Sequence, residues 1–128
     1  MNTGARIHWG RALVGGFLAE VAIVACMPVF LMFGERAPLY GIPPACLAMT
    51  FVFAVWVGRR IESRFLLHGL LVGVVSALLY LGMTWGQTLP LAYTISHGLK
   101  IVGGLGGGLV AAHRSRKATA PAVHAVTA

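Results

Sequence analysis

At 128 residues the chain has room for one domain, and 58% of its residues are hydrophobic whereas only 10% are charged. A soluble fold of this size would have too little polar surface, so the composition excludes an ordinary water-soluble protein. The net charge of +7 would favour nucleic acid in a soluble protein, but here the basic residues flank apolar segments, and we expect no nucleic-acid partner.

Four apolar segments follow one another along the chain. They comprise residues 12–33, 41–58, 65–84 and 91–112, each 18–22 residues long, and a helix needs about 20 residues to cross the hydrocarbon core of a bilayer. Residues 118–128 are rich in Ala, Thr and Pro without an apolar period, which predicts a disordered tail. The sequence therefore predicts an all-α membrane protein with a single four-helix transmembrane domain, residues 1–117.

Proline residues occur in two of these segments. Pro28 lies within the first, where it is expected to kink the helix or to end its regular part early. Pro43 and Pro44 follow the start of the second segment, and we expect them in the first turn of that helix, where a missing N–H costs little.

The basic residues have a strongly asymmetric distribution. Eight of the ten Lys and Arg residues lie before the first segment, between the second and third, or after the fourth, and only Arg36 lies in the other two connections. By the positive-inside bias, both termini are expected to be cytoplasmic. Because the connections are short, we expect an up-down-up-down bundle.

Glycine is concentrated on particular helix faces. Small residues let membrane helices approach closely, so we expect these glycines to form packing faces. The fourth segment contains two overlapping GxxxG pairs, Gly103/Gly107 and Gly104/Gly108. The other expected packing glycines are Gly69 and Gly73 of the third segment and Gly16 of the first.

Three ionisable residues, Glu20, His97 and Lys100, lie inside the apolar segments. Such residues cost about 2.5–3.5 kcal/mol each at the bilayer centre on insertion scales, so they usually face the protein interior. Lys100 is the evident partner for Glu20, although helical geometry offsets the two by ~6 Å along the membrane normal. Three interpretations stay open: a structural Glu20–Lys100 pair, a water-accessible Glu20 that exchanges protons, or a neutral Glu20 with local hydrogen bonds.

A narrow polar seam is a further expectation. His97, Lys100 and Gly104 share one face of the fourth helix, and Ser76 and Tyr80 continue the glycine face of the third. If the two faces meet, their polar groups either enclose a narrow polar seam rather than a pore, or simply form hydrogen bonds that hold the helices together. His68, near the cytoplasmic interface, is expected to reach toward headgroups or lipid.

Motifs of enzymes and cofactor sites give no comparable signal. The sequence contains no nucleophile–base–acid arrangement, no paired carboxylates and no HExxH, and its two cysteines lack CxxC spacing. We therefore expect neither enzymatic activity nor a bound metal or cofactor.

The segment Gly15-Gly16-Phe17-Leu18-Ala19-Glu20-Val21 is similar to the first helix of the small multidrug resistance transporters. That resemblance implies that Glu20 is a proton- and cation-binding carboxylate in an antiparallel dimer. Over its whole length the chain resembles uncharacterised small four-helix proteins of bacterial inner membranes, which implies that location and architecture. The strong charge bias favours a single orientation over the dual insertion that an antiparallel dimer of identical chains needs.

These observations lead to two hypotheses of function. The first is an accessory or structural membrane subunit that associates through its glycine-rich faces, with a second copy or with a larger membrane protein. The second is a proton-coupled transporter of small solutes that uses Glu20. In both hypotheses the protein is embedded in, and in contact with, the lipid bilayer.

Overall fold

The computed structural model describes the backbone of residues 6–126 and the side chains of residues 6–119. Four helices account for nearly all of this part: α1 (Trp9–Leu31), α2 (Ala37–Gly58), α3 (Phe65–Met83) and α4 (Leu91–Val126). All four are long and apolar enough to span a membrane, and the described part contains no strand. The chain is therefore an all-α, multi-pass membrane protein.

Two of the predicted boundaries differ from the observed ones. Helix α2 begins at Ala37, with Pro38 in its first turn, so the prediction that Pro43 and Pro44 occupy the first turn is wrong. Both prolines instead lie inside the helix. They leave the carbonyls of Leu39 and Tyr40 without their usual donors, near an end where interfacial water can satisfy them.

Helix α4 extends well beyond the predicted end at Ala112. It continues to Val126, so residues 118–126 of the segment predicted to be disordered are helical, while residues 127 and 128 lie outside the described part. Alanine occupies four of these nine positions, and alanine has the highest helix propensity. Pro121 also lies within this stretch and opposes a helix, so alanine accounts for only part of an extension that no apolar periodicity predicts.

Helix α1 ends early, as the position of Pro28 predicts. It stops at Leu31, three residues after the proline, and the backbone N–H of Met32 donates to the Pro28 carbonyl. The chain then turns at Gly34, whose φ of 112° is readily accessible to glycine alone. This turn connects α1 to α2.

The helices do not all contact one another. Helix α1 packs against α2 and α3, and α4 packs against the same two helices, whereas α1 and α4 have no close backbone approach anywhere in the described part. Helices α2 and α3 also touch each other. The cross-section is therefore a rhombus, with α1 and α4 at its two distant corners.

The two GxxxG pairs of α4 serve two different neighbours. A Cβ atom added at Gly103 or Gly107 would collide with α2, at the carbonyls of Leu47 and Phe51. One added at Gly104 or Gly108 would collide with the backbone of α3 instead. Since lipid gives no hydrophobic drive to helix association, this close contact is what holds α4 in place.

The glycine contacts of α3 and α1 are also internal. Added Cβ atoms would meet Gly104 and Gly108 from Gly69, the Lys100 carbonyl from Gly73, and Val75 of α3 from Gly16. All seven predicted packing glycines are thus in close contacts within the chain. Association with another protein through these faces, as the sequence predicted, is incompatible with this bundle because the faces are already covered.

A matched pair of glycine substitutions tests this packing. Gly104→Ala should destabilise the bundle by about 1–3 kcal/mol, since its new methyl group meets the backbone of Gly69 and Gly73. Gly98→Ala lies on the same helix with nothing within 4 Å of the new atom, and should change stability by no more than about 0.5 kcal/mol. Thermal unfolding in mild detergent measures both, and equal stability of the two variants would contradict the assigned contact.

Candidate functional site

The centre of the site is an ion pair between the first helix and the last. Lys100 Nζ lies 2.6 Å from Glu20 Oε2, and the two side chains are 1% and 4% exposed. Glu20 reaches this position because Ala12, Gly16 and Glu20 share the buried face of α1. Of the three interpretations that the sequence left open, the geometry matches the structural pair.

The pair spans the long diagonal of the rhombus. Since the backbones of α1 and α4 do not approach each other, only two long side chains can meet between them. The lysine stem and the glutamate side chain therefore bridge the distance between the two helices. The same two side chains also span the expected offset of ~6 Å between Glu20 and Lys100 along the membrane normal.

Helix α3 supplies the neutral partner of this pair. The Ser76 hydroxyl donates to Glu20 Oε2 at 2.7 Å, so one carboxylate oxygen accepts from both Ser76 and Lys100. Gly73, one turn earlier, lets α3 lie against the backbone at Lys100, because a side chain there would collide with the Lys100 carbonyl. The glycine face and the polar contacts thus depend on each other.

Aromatic rings cover the other side of the lysine. Lys100 Nζ lies 4.8 Å from the centre of the Tyr80 ring, a distance typical of a cation–π contact. The Tyr80 ring also stacks on Tyr93, with centroids 6.4 Å apart, and lies 5.1 Å from the His97 ring. The faces of α3 and α4 that the sequence predicted to form a polar seam do meet here.

Some polar atoms of the site have no partner in the described part of the chain. They are Glu20 Oε1 and both ring nitrogens of His97, all of them buried. The hydroxyl of the neighbouring Ser96 donates to the Ala92 carbonyl of its own helix, at 2.8 Å, rather than to His97. The site therefore keeps unused hydrogen-bonding capacity on the carboxylate and on the imidazole.

A small cavity adjoins these groups. Its volume is about 10 Å³, which is close to the least that holds one water molecule and is far too small for an organic solute. It is lined by Ile23, Ile42, Cys46, Tyr80, Tyr93, Ser96, His97 and Lys100. The polar groups of the seam contact one another beside a space of this size.

His68 lies outside this cluster, and its predicted role was wrong. Rather than reaching toward headgroups or lipid, its side chain is 1% exposed. Its Nε2 accepts from the backbone N–H of His8 at 3.0 Å, while Nδ1 lies 2.9 Å from the Arg64 carbonyl. In the tautomer with hydrogen on Nδ1, the neutral ring satisfies both contacts and joins the start of α1 to the start of α3. Only the spacing of four residues between Arg64 and His68 pointed to part of this arrangement.

Comparisons with models of known protein families, with curated proteins and with solved structures found no match to this chain.

Removing one charge of the pair should be costly, whereas removing both should be tolerated. Glu20→Gln leaves the Lys100 ammonium buried without a counter-ion, and we expect a loss of about 3–5 kcal/mol in the free energy of unfolding. The double variant Glu20→Gln, Lys100→Met removes both charges at similar volume and should recover most of that loss. Thermal unfolding in mild detergent measures both effects.

Glu35→Gln is the matched control, since the same atoms change on an exposed loop. Its expected effect is within about 0.5 kcal/mol. A Glu20→Gln variant as stable as the Glu35→Gln variant would show that the pair contributes nothing to the fold.

Proposed function

We propose that this protein crosses a bacterial inner membrane four times as an up-down-up-down bundle with both termini in the cytoplasm. The supporting observations are the four apolar helices and the distribution of arginine. Contacts between helices fit the same topology. Gly15, early in α1, lies beside Val57, late in α2, and Gly69, early in α3, lies beside Gly108, late in the apolar segment 91–112 of α4.

Within that membrane, the role we propose is that of an accessory or structural subunit and not of an enzyme. One observation carries this proposal: the two charged groups at membrane depth neutralise each other inside the bundle, beside a cavity of only about 10 Å³. A carrier needs a volume that accommodates its solute, whereas a subunit needs a stable shape. The covered glycine faces mean that a partner would contact the outer, lipid-facing surface instead.

The second candidate, a proton-coupled carrier, rests on a different observation. Glu20 Oε1 and the two ring nitrogens of His97 are buried without hydrogen-bond partners in the described part of the chain, and such groups often mark functional sites in membranes. For transport, the helices around Lys100 would have to separate so that Glu20 exchanges its cation partner for a proton or a solute. The local similarity of α1 to small multidrug resistance transporters agrees with this candidate.

Native extraction of the tagged protein in a mild detergent separates the two candidates. A subunit should co-purify with a second membrane protein in fixed stoichiometry, which native mass spectrometry measures directly. An unrelated tagged four-helix membrane protein, extracted in parallel, is the control for nonspecific capture. Recovery of a monomer or homo-oligomer alone would contradict the subunit proposal.

The carrier candidate has its own test. Adding tetraphenylphosphonium, a lipophilic cation, to the purified protein in weakly buffered detergent should release protons if Glu20 exchanges a proton for a cation. The double variant Glu20→Gln, Lys100→Met should release none. Equal release from both proteins would show that the signal does not come from Glu20, and no release from either would count against this candidate.

A further inference from the structure

The end of the bundle that carries most of the arginines contains two adjoining cavities between α2 and α4. The first, which we term the polar cavity, has a volume of about 230 Å³ and is lined by Val55, Gly58, Arg59, Ile61, Phe65, Ala111, Arg114 and Ser115. The second, the apolar groove, has a volume of about 330 Å³ and is lined by Phe51, Val52, Val55, Trp56, Arg59, Val110 and Arg114. Both include Val55, Arg59 and Arg114, so the two cavities adjoin at the arginines.

Positive charge at this junction has no internal counter-ion. Arg59 directly follows the last residue of α2, and Arg114 lies one turn after Ala111 on α4. No carboxylate lines either cavity, and the Glu20–Lys100 pair is the one ion pair in the described part of the chain. Arg59 and Arg114 are both exposed at this end of the bundle and line both cavities, so their unpaired charge is available to a ligand that binds there.

The chemistry of the polar cavity suits a phosphate group. Guanidinium groups bind phosphate oxygens in pairs of parallel hydrogen bonds, which gives geometric selectivity as well as energy. Ser115 adds a hydroxyl donor, and Phe65, the first residue of α3, places the positive end of that helix dipole at the same cavity. All three contributions favour an anion.

The apolar groove indicates that this anion belongs to an amphiphile. Phe51, Val52 and Val110 continue from the arginines along α2 and α4, into the part of the bundle that the bilayer surrounds. Trp56 lies at the same level, with the Arg60 guanidinium 4.5 Å from its ring centre, as is typical of residues at a membrane interface. A free phosphate would use the polar cavity but not the groove.

We propose that Arg59 and Arg114 bind the phosphate of an anionic glycerophospholipid in the polar cavity, with an acyl chain lying in the apolar groove. Anionic lipids concentrate in the cytoplasmic leaflet, and basic pockets between helices on that side bind their headgroups. The site is thus supplied by the membrane itself. This inference rests on the proposed orientation, which places this end of the bundle at the cytoplasmic face, and not on the accessory role, so the inference and the accessory role can fail separately.

Fluorescence quenching of Trp56 tests the proposal. Trp9→Phe and Trp85→Phe, both at exposed positions, leave Trp56 as the single tryptophan of the full-length protein. Phosphatidylglycerol with brominated acyl chains is titrated into the protein in micelles that contain phosphatidylcholine. We expect saturable quenching at lipid fractions where brominated phosphatidylcholine gives only a weak, linear effect.

Two double variants that remove the same amount of charge test whether Arg59 and Arg114 form the lipid site. Arg59→Gln with Arg114→Gln should raise the half-saturating phosphatidylglycerol fraction about tenfold or more, because two charged contacts are lost. Arg116→Gln with Lys117→Gln removes the same charge from positions of α4 that lie outside both cavities, and should change the fraction less than about twofold. If both double variants weakened phosphatidylglycerol binding equally, the attraction would be a diffuse electrostatic one, and the proposed site would be overturned.

Two further outcomes would also overturn it. A neighbouring cavity of about 570 Å³ contains Arg11, Arg60 and Trp56, so loss of quenching only in Arg11→Gln with Arg60→Gln would move the lipid there. Displacement of the lipid by inorganic phosphate at equal concentration would make free phosphate the ligand.

Val110→Phe tests the position of the acyl chain, because it fills the groove and keeps every charge. This variant should weaken phosphatidylglycerol binding severalfold, and unchanged binding would contradict the acyl-chain position.

Discussion

Lipid surrounds this bundle, and apolar burial therefore cannot hold its helices together as it would in water. The structure depends instead on backbone contact at glycine, and that contact fixes where every other group lies. Gly103 and Gly107 bring α4 onto α2, and Gly104 and Gly108 bring it onto α3. With α4 held on two sides, its Lys100 side chain has one accessible direction, across the bundle toward Glu20.

The ion pair and the packing constrain each other. A lysine and a glutamate together reach across the long diagonal of the rhombus because α1 and α4 each pack closely against α2 and α3, which keeps the sides of the rhombus short. Ser76 on α3 then donates to the same carboxylate oxygen as Lys100, which ties a third helix to the pair. A buried charge pair is a weak source of stability but a strict selector of geometry, because any shifted register strands both charges.

The sequence was sufficient to predict four helices and the buried face of Glu20, because hydropathy and helical periodicity act locally, but it left open whether the polar faces of α3 and α4 meet. It could not show which helix each glycine contacts, since a GxxxG pair looks the same whether its neighbour belongs to the chain or to another protein. His68 was misjudged for a related reason. Its partner is the backbone N–H of His8, sixty residues away, and backbone donors leave no trace in side-chain patterns.

The ion pair also has a consequence for biogenesis. Glu20 and Lys100 are 80 residues apart, on the first and last helices to be made, so at ~5–20 residues per second the glutamate is synthesised some 4–16 s before its partner. During that interval α1 carries a carboxyl group with no cation to meet it. Retention of α1 by the insertion machinery, or a proton held by Glu20 until α4 arrives, would bridge the gap. Because α4 is synthesised last, Glu20 on α1 finds its cation partner only when the final helix has been made.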